Sequence, residues 1–390
     1  MKCIHCQHDS KKKERPDRHC PKCKRRFAFE PTAGDIVTDM LFLRAIERVS
    51  SDGRVRFHAS HAYYEVRRRL KKQARRSALK LGLIAFAVLA LITTAIASTA
   101  TSLPPYAVLA VLCFAFGSGL YRTLLSPQAA LPRTTFDALW SRYVAAHGEP
   151  AALIKPSAPR AAQPLPEELL DYSFDRAVIC DRPDAVDVLI ANQFHFENNC
   201  AVLGVDGYPA NAFATVRAML RKNPRLLVLA IHDADPAGCR LVHRLRTDPG
   251  WFAAGARIVD VGLRPRHAKF FPGMHLSAQA VVEVGAGISG SEARWLHRQR
   301  LELAVVPPEQ LIKRLFRVMT RAEAAASSDS GGDSGSTGGG GDWTSSDGNV
   351  AAGAAITASS GQQGHDADLD GGNDIGFDAD ASDGGADSFG

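Results

Sequence analysis

The sequence predicts a multidomain chain with a small cysteine-built ribbon, an α-helical transmembrane hairpin, an α/β parallel-sheet domain and a disordered tail. Three observations carry this. Two CxxC pairs, Cys3-Cys6 and Cys20-Cys23, open the chain. No Lys, Arg, Asp or Glu occurs in the 41 residues between Lys80 and Arg122. From Phe174, short apolar runs alternate with segments of helical spacing, until Gly, Ser, Asp and Ala take over after Arg321.

Charge is segregated in the same way. The 13 acidic residues from Glu323 onward leave residues 1–322 with a formal charge of +19, against +6 for all 390 residues. Eight cysteines in 390 residues are too sparse for a secreted disulfide scaffold. The boundaries read as 1–30 for the ribbon and 31–77 for a helical, winged-helix-like basic segment. They continue as 78–125 for two transmembrane helices, 126–172 for a helix and linker, 173–322 for the α/β domain and 323–390 for the tail.

In the ribbon, Cys3-Cys6 and Cys20-Cys23 are separated by 13 residues. Each CxxC offers two thiolates from one tight knuckle, and two knuckles complete a tetrahedron around zinc. A reducing compartment favours metal over disulfide. Four thiolates close such a site, so the zinc is expected to be structural. His5, His8 and His19 are read as solvated or as supporting the ligands. Small ribbons of this kind bind nucleic acid or protein, and Lys11 to Lys13 and Lys24 to Arg26 permit either.

Between ribbon and apolar insert, Ile36, Met40, Leu43, Ile46 and Val49 can share one helical face. Ser51-Asp52-Gly53 signals a turn, Val55 to Phe57 a short strand, and Ala62 to Leu70 a second helix containing Tyr63 and Tyr64.

Leu81 to Ala97 and Tyr106 to Leu120 are apolar runs broken by Pro104-Pro105. A membrane helix needs ~20 such residues, and small residues suit close helix packing. The alternative is a buried helical pair. Basic residues flank both ends (Arg67 to Lys80, then Arg122, Arg133 and Arg142), which predicts an inner or plasma membrane protein with both termini cytoplasmic. The basic run before the first span has two readings, anionic lipid headgroups or nucleic acid.

In the last structured part, strands are expected at Ala177 to Cys180, Ala201 to Val205, Leu226 to Ile231 and Ala256 to Val261, with helices between them. That alternation means a parallel sheet covered by helices, with chemistry at the carboxyl ends of the strands. Asp233 and Asp235 follow the most apolar strand there, and two hard carboxylates would suit Mg²⁺. The plainer reading is a strand-to-helix turn with an N-capping Asp. Cys180, Cys200 and Cys239 form no ligand pattern and read as buried thiols.

VLGVDGYPANAFATVRAML followed by LLVLAIHDADPAGCRLVHRL resembles the Toprim domain. It is most similar to the version in the A subunit of topoisomerase VI and its meiotic double-strand-break relatives, which carry Asp-x-Asp-Pro-x-Gly. Val261 to Pro265 is similar to the segment after that motif. The resemblance spans about Phe174 to Arg266. It implies a Mg²⁺ site in which a Glu at the end of the first strand joins the two Asp for phosphodiester cleavage or transfer. Here Cys180 stands where that Glu is expected, and Asp181, one residue on, is its only stand-in. In that family a winged helix bearing a nucleophilic tyrosine precedes the Toprim domain, which implies Tyr64 as a nucleophile; packing is the plainer role for the tyrosine pair.

Two functions follow. In the first, a degenerate Toprim-like domain binds nucleic acid, a nucleotide or a protein partner, and the chain is a membrane-anchored adaptor. In the second, Asp233, Asp235 and Asp181 make it an Mg²⁺-dependent nuclease or topoisomerase-like transesterase.

Overall fold

The computed structural model describes residues 1–99, 117, 131–155 and 174–329. The chain divides into Met1–Met319 and Thr320–Gly390, and of the second unit only residues 320–329 are described. Residues 330–390 of the acidic tail, the linker from 156 to 173 and the second apolar run, Tyr106 to Leu120, save for Gly117, lie outside the described residues; Glu323 to Asp329, expected to be disordered, instead end the last helix.

The ribbon is two knuckles of the same design. Gln7 N donates to Cys3 O, and Lys24 N donates to Cys20 O, both at 2.9 Å. Each turn closes on a left-handed residue, Gln7 or Lys24. One bridge accompanies each knuckle, Lys2 with Asp9 and His19 with Arg26. Past the ribbon, Phe27, Ala28 and Phe29 turn inward.

The first helix, α1 (Asp39–Val49), starts at an N-cap Thr38 whose side chain accepts from Leu41 N. Its buried face is Phe42, Ala45, Ile46 and Val49, one step round from the expected stripe, and Ile36 precedes the helix and is exposed. The shift has a cause in the aromatic core. Phe42 lies between Phe29, Phe136 and Tyr143, with centroid distances of 5.1, 6.1 and 5.2 Å. After the turn, Phe57 makes a single parallel bridge to Leu153, in place of a wing hairpin. Then come α2 (Ala59–Thr99) and, beyond the undescribed segment, α3 (Arg133–His147), which supplies Phe136 and Tyr143.

The first apolar run requires a correction. Leu81 to Ala97 is the continuation of α2, the same 41-residue helix that carries Arg67 to Lys80. Among the described residues, no helix is long and apolar enough to cross a membrane. The run holds 17 residues, which at ~1.5 Å each reach roughly 25 Å, short of a hydrocarbon core of ~30 Å. The expected transmembrane hairpin is therefore unsupported, and so is the inner or plasma membrane location drawn from it.

The flanking basic run also has work inside the protein. Arg67 donates to the carbonyls of Met274 and His275, Arg68 to that of Val305, and Lys71 to that of Pro272. Glu65 bridges Arg68 and Arg69 at 2.7 and 2.9 Å. These cations bind helix α2 to the C-terminal domain.

That domain is α/β. In chain order it runs β1 (Arg176–Cys180), α4 (Pro183–Ala191), α5 (Phe194–Glu197), β2 (Cys200–Gly204), α6 (Phe213–Leu220) and β3 (Leu227–Ile231). Then follow α7 (Pro236–Cys239), α8 (Leu241–Thr247) and β4 (Arg257–Asp260). The sheet is parallel throughout, in the order β2-β1-β3-β4. Ala177, Ile179, Val228 and Ala230 join the Trp251 cluster on one face, and the alternate residues Val178, Cys180, Leu229 and Ile231 are buried as well. A sheet covered on both faces gives such continuous apolar strands.

A small second sheet follows. It pairs β5 (Leu276–Ser277) with β6 (Gln299–Arg300) around α9 (Gly290–Leu296), and the last helix is α10 (Pro308–Asp329). Between β5 and β6, Val281 to Val284 is irregular. Val281 and Val284 are 92% and 68% exposed, so no burial rewards extension there.

Candidate functional site

Two sites emerge from the folded chain. At the ribbon, the Sγ atoms of Cys3, Cys6, Cys20 and Cys23 all lie within 4.8 Å of one another and could hold a metal ion. Cys3 to Cys23 and Cys6 to Cys20 are 3.6 Å apart. A tetrahedron with metal–sulfur bonds of ~2.3 Å has edges of about 3.8 Å, so the four sulfurs are compatible with zinc. Burial raises the Cys3 thiol to about 12. Burial also pushes Cys20 up, but backbone bonds from Cys23 and Lys22 outweigh it and bring the thiol to about 7.

His5 is exposed yet hydrogen-bonded on both ring nitrogens. Arg25 Nη1 donates to His5 Nδ1 at 2.8 Å, His5 Nε2 to His147 Nδ1 at 3.3 Å, and His147 Nε2 to Asp39 Oδ2 at 2.8 Å. Asp39 is fully buried and also accepts from the Ala28 and Phe29 N–H groups. A directional chain thus ties the first knuckle to α1 and α3. A motif search could not find it, because its partners are 20 and 142 residues apart.

The second site lies at the carboxyl ends of β1 and β3. In register, Cys180 sits opposite Ile231, which places Asp181 beside the His232–Asp233 step. Asp181 Oδ2 accepts from Asp233 N at 2.7 Å. Asp233 Oδ1 accepts from Leu303 N, and its Oδ2 from Arg182 Nε, both at 2.6 Å. Asp235 is the N-cap of α7, its Oδ1 accepting from Gly238 N at 2.7 Å. Gly238 is required here. A Cβ at that position would run into the Asp233 carbonyl and come within 3.0 Å of Asp181 Oδ2.

Electrostatics follow from this packing. Burial, then the charge of Asp233, raises Asp181 to about 7. Burial raises Asp233 to about 6 even though the Leu303 N–H and Arg182 oppose it. Beneath them, His232 is fully buried, with Nδ1 on the Asp233 carbonyl at 2.8 Å and Nε2 on Asp260 Oδ1 at 3.0 Å. Both partners are acceptors, so both ring nitrogens donate and the ring is an imidazolium. Burial pushes Asp260 up, but its bonds to His232 and Arg264 hold it well below the usual carboxylate range.

The candidates of the sequence are thus brought close together, but as internally bonded groups. Arg182 reaches Asp233 at 2.6 Å and Asp235 at 4.0 Å, so a guanidinium stands among the carboxylates. Nothing in the arrangement supports a magnesium site. Cys180 is buried with its thiol pushed up by burial. Tyr64 comes to the same place, since its phenol donates to Glu302 Oε2 at 3.1 Å. Burial, then Glu302, raises that phenol far above its ordinary value, which opposes nucleophilic attack.

Glu302, Arg182 and His232 belong to the site although the sequence reading did not single them out. Glu302 arrives from a loop whose backbone pairs with the motif, since Leu301 and Ala234 exchange hydrogen bonds at 2.8 and 3.1 Å. No family model matches the chain, and no curated protein and no solved structure matches it either.

Proposed function

We propose that the chain is a non-catalytic adaptor that binds nucleic acid or a nucleotide through a degenerate Toprim-like domain, with its N-terminal ribbon stapled by structural zinc. One observation carries this reading. Arg182 donates to Asp233 at 2.6 Å and reaches to 4.0 Å from Asp235, so the protein sets its own cation against two of the three carboxylates. A cation supplied by the protein takes the place that a catalytic Mg²⁺ would need among these carboxylates. The +19 formal charge of residues 1–322 favours a polyanionic partner.

The test is a cleavage and binding assay on full-length protein. Supercoiled and single-stranded DNA and RNA are incubated with Mg²⁺ or Mn²⁺, using wild type and Asp233→Ala. The expected result is retention of nucleic acid in a gel shift, weakened by salt, with no nicking. Metal-dependent nicking that disappears in Asp233→Ala would establish the enzyme instead. Metal analysis should give one zinc per chain, lost in Cys20→Ser.

A further inference from the structure

A cavity of about 250 Å³ opens beside Asp181, between the start of α2, the end of β1 and the strand-to-loop segment around Arg300. Ser60 Oγ, Asp181 Oδ1 and Arg300 Nε are buried polar atoms without a hydrogen-bond partner. All three residues line this cavity. Ser60 is only 9% exposed. Protein interiors pair nearly all such atoms, so three on one cavity point to something that it holds.

The hydrogen-bonding demand has a definite polarity. Once ionised, Asp181 Oδ1 needs a donor. Arg300 Nε needs an acceptor, and the Ser60 hydroxyl can donate to one. His61, which also lines the cavity, accepts from His58 N at its Nδ1. Its proton therefore sits on Nε2 and adds another donor. Arg133 and Arg182, whose side chains are 44% and 47% exposed, also line the cavity, as do the carboxylates of Asp184, Asp233 and Glu302.

We infer that this cavity binds a guanine nucleotide, with the base between Asp181 and the Ser60, His61 and Arg300 donors and the phosphate at Arg133 and Arg182. Guanine sets adjacent N1–H and N2–H donors toward a carboxylate and offers O6, N7 and N3 as acceptors, whereas adenine lacks the N1–H and the carbonyl, and cytosine has only two acceptors. The volume lies below the ~300–1,000 Å³ of drug-sized pockets, which suits one nucleotide with its base enclosed and its phosphate outside. The assignment rests on the non-catalytic reading, in which Asp181 is not a metal ligand, and gives that reading a ligand class.

The experiment is titration calorimetry of the full-length protein at pH 8 without divalent metal. The probes are GMP, AMP, CMP, UMP and a single-stranded RNA pentamer with one guanine. GMP or the pentamer is expected to bind, with the other monophosphates at least tenfold weaker. Binding of GMP identifies the free nucleotide as the ligand; binding of the pentamer alone identifies a guanine within a strand. Asp181→Asn, which presents an N–H or an acceptor in place of the carboxylate, should cost GMP tenfold or more. Ser60→Val, which fills the cavity, should abolish binding, and thermal melts verify that both variants are folded. Absence of binding to GMP and pentamer alike, or binding indifferent to both variants, overturns the proposal and leaves the cavity to water. Cleavage of the pentamer on adding Mg²⁺ would instead refute the non-catalytic reading, so the two failures are distinguishable.

Discussion

Asp181→Asn should stabilise the protein, and by an amount that grows with pH. The asparagine keeps an oxygen for the Asp233 N–H, now held at 2.7 Å, and removes a carboxyl that the fold resists ionising. Its folded pKa stands at about 7 against an ordinary 3.8. The sign follows from proton counts. Between those two values the folded state holds a proton that the unfolded chain has lost, so wild-type stability falls as pH rises. At ~1.4 kcal/mol per pH unit, the gain of the variant is about 1–2 kcal/mol at pH 5 and levels off at roughly 4 kcal/mol above pH 7. The assay is paired urea denaturation of wild type and variant at pH 5 and pH 8, with zinc in both buffers. A variant less stable than wild type at pH 8, or a difference that does not change with pH, would refute the assignment of Asp181 as a buried, reluctantly ionised acid.

Further expectations follow from the same geometry. Arg182→Ala removes the cation 2.6 Å from Asp233, so divalent-metal binding should appear by calorimetry where wild type shows none; equal behaviour would mean that Arg182 is not what closes the cluster. Gly262→Ala drives a Cβ into the His232 ring, a backbone-against-core clash expected to cost about 2–4 kcal/mol in a denaturant melt. Tyr64→Phe deletes one buried phenol donor, at about 1–2 kcal/mol, and should leave nucleic-acid retention unchanged in a gel shift. Cys20→Ser should release the zinc and raise hydrogen exchange through residues 1–30 and α1, read by mass spectrometry.

What could be read beforehand was local. The CxxC spacing places four sulfurs together because each knuckle is a self-contained turn. The runs around Ile179, Leu203 and Leu229 read as parallel strands because burial on both faces removes any alternation. The Asp233–Gly238 turn was visible because capping and close approach require those residue types. The chemistry at that turn was not visible, because it depends on Arg182 and Glu302, which lie 51 and 69 positions from Asp233. Neither carries a signature of its own. The apolar run from Leu81 misled for a related reason. A window without charge looks the same whether it stands alone or ends a longer basic helix, and only the helix as a whole settles its length.

Helix α2 has a consequence for how the molecule comes apart. Its first three turns place Tyr63 on the Leu131 carbonyl, Tyr64 on Glu302 and Arg67 on the Met274 and His275 carbonyls. The aromatic core behind the ribbon and the acidic end of the sheet therefore share one rigid rod. Loosening either end removes buried partners from the other, so the two regions should melt in a single transition. Loss of metal at the ribbon would then be felt as lowered occupancy at a distant ligand cavity. Metal at the ribbon and a ligand at the cavity would then be thermodynamically linked, without a hinge or a moving lid.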